Sequence, residues 1–126
     1  MNKKVLVIDD DRDFSFILKT SIQKWGYEPL ITHTAKEGLS AAGQNKDIGI
    51  MIIDYKLPDL DGISLLKDLR KTGNKTPAVI LTAFPGNKIF RNTDELSIRK
   101  VILKLRIGTE TLNILKSTIE EILAGS

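Results

Sequence analysis

The chain has no cysteine and a single histidine, His33. The first absence excludes disulfides, thiol catalysis and cysteine-type zinc sites, and the second argues against a histidine metal centre or a catalytic triad. His33 itself reads as an ordinary position near a strand end. No apolar run approaches the roughly 18 to 20 residues of a membrane span, and MNKKVLVIDD lacks the small-residue cleavage site of a secretory signal. A cytoplasmic protein without membrane contact is expected. Neither the dinucleotide glycine fingerprint nor a P-loop is present, which removes the common mononucleotide sites. Aromatics make up only 6% of the residues, and apart from Phe90 the basic cluster of Lys88, Arg91, Arg99, Lys100, Lys104 and Arg106 has no interleaved stacking platforms. It reads as a solvated face, and no direct nucleic-acid binding is expected. The net charge of +3 divides unevenly: residues 1–63 hold 8 Lys/Arg against 10 Asp/Glu, and residues 64–126 hold 11 against 6.

What is present is an ordinary globular composition, 41% hydrophobic and 28% charged over 126 residues, enough for one domain spanning 1–126. The organising stretch is IMIIDYKLPDLDG, residues 50–62. An uninterrupted apolar run rich in β-branched residues reads as a strand buried on both faces. It stops at Asp54, where a Pro/Asp/Gly turn begins. Ligands of open parallel sheets collect beyond the carboxyl ends of strands, so Asp54 is a site candidate, although strand-end aspartates also cap turns.

The same pattern recurs. VLVID leads to Asp9, Asp10 and Asp11, and AVILT ends at Thr82. VIL, a short strand over 101–103, ends at Lys104, while residues 27–32 form a weaker strand whose Pro29 suits an edge. Helical spacing follows in Phe14, Ile17, Leu18, Ile22 and Trp25, with Asp11 or Asp13 to cap and Gly26 to stop. Thr34 to Glu37 has capping-box spacing for a helix through about Ala42. Further helices follow over Ile63–Leu69 and Leu112–Leu123, and residues 87–96 read as a marginal helix or a loop. Five strands alternating with five helices predict a parallel sheet covered on both faces.

In that topology Asp9, Asp10, Asp54, Thr82 and Lys104 gather at one sheet edge. Crowded carboxylates call for a hard cation with oxygen ligands, Mg2+ above all. Asp54 could then act as a nucleophile forming an acyl phosphate, with Thr82 donating to a phosphoryl oxygen and Lys104 pairing with its charge.

VLVIDDD, DYKLPDLDG, ILTA and ILK, in that order and strand context, closely resemble the receiver domain of bacterial two-component response regulators, over essentially the whole chain. The resemblance implies a flavodoxin-like, doubly wound (βα)5 sheet of order 2-1-3-4-5. It implies Asp54 as phosphoacceptor, supplied by a phosphohistidine on a sensor histidine kinase or histidine phosphotransfer protein. Asp10, Asp54 and the carbonyl of Lys56 would hold Mg2+, with Asp9 acting mainly through water, while Thr82 and Lys104 would engage the phosphoryl group. The output would be a downstream protein or a fused domain, the state a monomer or a phosphorylation-linked dimer, and the chemistry self-directed rather than that of a turnover enzyme. By the same resemblance, Lys56 and Phe84 occupy positions where variation in the family tunes the lifetime of the phosphoform.

Departures from the family pattern cluster late in the chain. Leu105 follows the lysine where proline is usual, so the expectation is a trans bond with a shifted lysine, or a cis bond costing about 2.5–4 kcal/mol. Lys100 competes for the role of Lys104 but precedes the apolar run. Val101 stands where a switch aromatic is common, and Ser97 near a usual glycine. An aspartyl-phosphate hydrolase motif fails at Asp13, and a calcium loop with Gly62 as its sixth position fails at Leu57, where the first ligand should stand. The competing reading is a pseudo-receiver, an interaction module that signals without phosphorylation.

Overall fold

A computed structural model describes residues 3–83, 93–104 and 108–124. Its apolar runs lie side by side as one parallel sheet. The strands are β1 (Lys4–Ile8), β2 (Glu28–Thr32), β3 (Ile48–Asp54), β4 (Ala78–Thr82) and β5 (Ile98–Leu103), in the order β2-β1-β3-β4-β5. The described helices are α1 (Arg12–Lys24), α2 (Ala35–Gln44), α3 (Gly62–Lys71) and α4 (Thr109–Ala124). Most of the 87–96 segment expected to be a marginal helix or a loop lies outside the described residues, and its end, residues 93–96, lies in a turn that runs on to Ser97.

Side-chain alternation explains why β1, β3 and β4 are apolar throughout. Leu6, Ile8, Met51, Ile53 and Ile80 face one way, into a core shared with Leu65, Leu66 and Leu69 of α3 and Ala35 and Ala42 of α2. Val5, Val7, Ile50, Ile52, Val79 and Leu81 face the other way, against Phe14, Leu18 and Ile22 of α1 and Leu115, Ile119 and Leu123 of α4. Two half-cores, one on each face, leave the strand ends as the place where polar groups can meet solvent. Among the described residues no helix is long and apolar enough to cross a membrane.

Local signals set the helix ends. Asp11, not Asp13, caps α1, accepting from Phe14 N at 3.1 Å, and Thr34 caps α2, accepting from Glu37 N at 3.1 Å. α1 and α3 stop at Gly26 and Gly73, both at positive φ (94° and 88°), which glycine adopts without strain. α2 runs two residues past the expected Ala42, to Gln44. β5 is longer than its apolar run, beginning at Ile98 rather than Val101. It is an edge strand, so Arg99 and Lys100 remain exposed and leave no hydrophobic trace in the sequence. Ser97, just before it, takes φ 55°, the left-handed region that glycine usually fills.

Candidate functional site at the carboxyl edge of the sheet

Backbone bonds carry the ladder one residue past three strands and fix what stands there. Asp9 N donates to Thr32 O (3.1 Å), Tyr55 N to Leu81 O (2.8 Å) and Lys104 N to Thr82 O (2.6 Å). Asp9, Asp54, Thr82 and Lys104 therefore sit on rigid strand ends rather than on loops, and Asp10 follows Asp9 directly.

Asp9 is fully buried, Asp54 and Thr82 nearly so, and Asp10 is exposed. One oxygen from each of Asp9, Asp10 and Asp54 lies within 4.8 Å of the others. The Lys104 ammonium bridges two of the three, donating to Asp9 Oδ2 (2.8 Å), Asp9 Oδ1 (3.0 Å) and Asp54 Oδ2 (3.0 Å). It also lies 4.8 Å from the centroid of the buried Phe14 ring, close enough for a cation–π attraction. Lys104 thus reaches the cluster, whatever the bond to Leu105, which lies outside the described residues. Lys100, its competitor, is exposed in mid-strand opposite Val79.

The electrostatics follow from burial. Desolvation raises the Asp9 pKa to about 6, against the lowering effects of the Lys104 and Asp11 N–H hydrogen bonds; the nearby Asp54 charge adds to the rise. Burial also disfavours the charged form of Lys104, but its bonds and charge interactions with Asp9 and Asp54 more than offset this, and its pKa is raised. Three carboxylates against one ammonium leave a net negative site of hard oxygen donors. That donor set fits a divalent cation of the magnesium type, and Asp9, Asp10 and Asp54 are the side chains that could hold it.

The turn after β3 completes the wall. Gly62 N donates to Tyr55 O at 2.7 Å, and Lys56 pairs with Asp61 as an isolated antiparallel bridge. A Cβ on Gly62 would lie 2.7 Å from the Asp54 carbonyl oxygen, so the close approach of α3 to the strand end excludes any larger residue. Asp61 caps α3 through Ser64 N and Ser64 Oγ, both at 2.8 Å. Asp59 reaches across to the start of α2, accepting from Ala35 N (2.8 Å) and Lys36 N (3.0 Å). Those bonds hold its carboxyl below the usual range. A cavity of about 580 Å³ opens above, lined by Asp10, Asp54, Lys56, Thr82, Ala83 and Lys104 among others.

Sequence reasoning placed Asp9, Asp10, Asp54, Lys56, Thr82 and Lys104, and the fold brings all six to one edge. Phe84 lies outside the described residues. Val101 is half-buried and packs into the core on the α2/α3 face. Three contacts were not foreseen: Phe14 beneath the lysine, Asp59 on α2, and His33, whose Nδ1 lies 2.9 Å from the Asp9 carbonyl oxygen. In the sequence Asp59 lies within the Pro/Asp/Gly turn after Asp54, and His33 carries no motif.

The sequence of residues 5–115 matches the family model described as the response regulator receiver domain. The chain belongs to the response regulator receiver family. Among curated relatives, the alkaline phosphatase synthesis transcriptional regulatory protein PhoP of Bacillus subtilis is 35% identical over 83 residues, which is 66% of this chain and 34% of that protein. This receiver chain spans about a third of the length of the curated relatives it matches. Among solved structures, the receiver domain of Francisella response regulator 1452 superposes with a TM-score of 0.85 at 29% identity, covering 98% of both chains. The fold is shared with the response regulator TrrA from Thermotoga maritima in complex with Mg(2+)-BeF, at a TM-score of 0.79 and 22% identity, covering 95% of this chain and 98% of that one.

Proposed function

We propose that this receiver takes a phosphoryl group onto Asp54 from the phosphohistidine of a sensor histidine kinase or histidine phosphotransfer protein, in a Mg2+-dependent reaction. An Asp54 carboxylate oxygen attacks phosphorus, the phosphorus–nitrogen bond breaks, and the departing imidazole takes up a proton. Later attack of water on phosphorus returns the carboxylate and releases inorganic phosphate. The protein is both substrate and catalyst of these steps rather than a turnover enzyme.

The observation that carries the reading is the Lys104 ammonium held between Asp9 and Asp54 at the floor of an open cavity. A cation already placed against Asp54 stands ready to pair with phosphoryl oxygens, at a position fixed by β5 rather than by a loop. Thr82, at the end of β4 between the strands that lead to Asp54 and Lys104, supplies a hydroxyl for a phosphoryl oxygen. Asp10, Asp54 and the Lys56 carbonyl would hold Mg2+, with Asp9 acting through water. The ion would supply charge neutralisation for the incoming anionic group. Lys56, exposed at the cavity rim, and Phe84 tune how readily water reaches the phosphorus.

The whole chain, 1–126, acts as one receiver domain in the cytoplasm, as a monomer or a phosphorylation-linked dimer. Its output passes to a downstream protein or a fused domain. Val101 leaves no aromatic to relay a Thr82 movement, so the change reaches the β4–β5 side by another route. Incubation with acetyl phosphate and Mg2+, read by intact mass, is expected to show a gain of one phosphoryl group that Asp54→Ala abolishes. No gain in the parent chain supports the pseudo-receiver reading.

A further inference from the structure

The peptide that joins Asp9 to Asp10 is gripped from two sides. Its carbonyl oxygen accepts a hydrogen bond from Ser15 Oγ (3.2 Å), reaching back from the first turns of α1. It accepts a second from His33 Nδ1 (2.9 Å), reaching over from the connection between β2 and α2. A carbonyl oxygen only accepts, so Nδ1 carries the proton in this contact. On the other side of Asp9, its N–H is bonded to Thr32 O, the residue before His33. The His33 backbone is held in turn, its N–H donating to Glu37 Oε1 at 2.9 Å.

A peptide group is planar, so fixing its carbonyl fixes the direction in which the chain leaves toward the next residue. Here the two residues flanking that plane are Asp9 and Asp10, two of the three carboxylates of the cluster. The buried Asp9 carboxylate has further partners in Asp11 N and Lys104. Asp10 is exposed, so the orientation of its backbone governs where its oxygens fall relative to Asp54.

We infer that His33 and Ser15 are positioning residues for cation binding: they lock the Asp9–Asp10 peptide plane so that both carboxylates face Asp54. Neither side chain would touch the ion. The inference rests on the proposed Mg2+ site and extends it to the β2–α2 connection, an element with no other role in that site.

Calorimetric titration of the full chain with MgCl2 tests it. His33→Ala is expected to weaken Mg2+ binding by about tenfold, the low end for lost outer-shell support of metal ligands. His33→Asn, whose Nδ2 stands as many bonds from the backbone as Nδ1, is expected to restore affinity to within about twofold of the parent. Ser15→Ala, in which alanine suits the helix, gives an independent loss of similar sign. If the parent binds Mg2+ and His33→Ala and Ser15→Ala bind it equally well, the inference is overturned and the proposed function stands. If the parent binds no Mg2+, the proposed site falls, and the inference with it. A lowered melting temperature with unchanged affinity marks the contacts as structural only and also overturns it.

Discussion

Replacing Lys104 with methionine is expected to destabilise the Mg2+-free protein by about 3 kcal/mol near neutral pH, the low end for stripping one partner from a buried ion pair. The ammonium answers two carboxylates whose side chains are 0% and 10% exposed, and its own is 14% exposed, so solvent screens the triad weakly. Methionine keeps the packing against Phe14 while removing the charge. Lowering the pH toward 5 should recover much of the loss, because Asp9, already raised to about 6, neutralises by taking a proton. Added Mg2+ should stabilise Lys104→Met more than the parent, since the variant lacks the competing cation. Phosphoryl gain from acetyl phosphate should nevertheless slow by roughly 10²-fold or more, as expected for removal of a preorganised charge partner. Denaturant melts in EDTA and in MgCl2, together with time-resolved intact mass, read all three effects. Unchanged stability in EDTA at neutral pH contradicts the bridging role.

Asp9→Asn is expected to act in the opposite direction on stability. A buried acid whose pKa rises from 3.8 to about 6 on folding favours the folded state below the lower value and loses that advantage as pH climbs through the higher one. The shift corresponds to about 3 kcal/mol lost above pH 6, taken at ~1.4 kcal/mol per pH unit. Asparagine is isosteric and uncharged, and its Oδ1 can still accept from Asp11 N, while Lys104 keeps Asp54 as a partner. Its amide opposite the ammonium withholds part of the gain, so the Mg2+-free variant should be more stable than the parent by about 1–2 kcal/mol at neutral pH. The difference should vanish near pH 5, change sign by pH 4, and shrink on adding Mg2+. Urea midpoints from pH 4 to 8 read this directly, and a flat difference across that range rules out burial as the source of the strain.

The two variants bracket the design of the site. Under the proposed function a receptor for an anionic group on an aspartate must crowd acids together, and the metal-free site offsets that repulsion with Lys104. Asp9 contributes strain and Lys104 contributes relief, so stability and function are set against each other at the same strand ends.

The sheet was legible because its strands are buried on both faces. VLVI, IMII and AVIL have no polar alternation to confuse them with surface strands, and each stops at the polar residue that matters. Asp9, Asp54, Thr82 and Lys104 could therefore be placed from strand ends alone. β5 was legible only in its second half, because an edge strand tolerates Arg99 and Lys100 facing solvent. The supporting contacts were not legible for a different reason. Asp59 on α2, Phe14 under Lys104 and His33 on Asp9 join residues 23 to 90 positions apart in the chain, and no local pattern encodes a tertiary hydrogen bond or a ring beneath a cation. With leucine in place of the usual proline after Lys104, either a trans bond with a shifted lysine or a cis bond is expected; that bond lies outside the described residues, and the ammonium reaches both carboxylates with the Lys104 backbone held by its N–H bond to Thr82 O.

The central claim is a covalent one, that the phosphoryl group resides on the Asp54 carboxylate, and borohydride trapping addresses it most directly. Acyl phosphates are reduced to alcohols, so reduction of the acetyl phosphate-treated, Mg2+-loaded protein should convert the modified aspartate to homoserine, which tandem mass spectrometry locates. Homoserine at position 54 alone is the result expected. Homoserine at Asp9 or Asp10, or none anywhere in a chain that has gained phosphoryl mass, contradicts it.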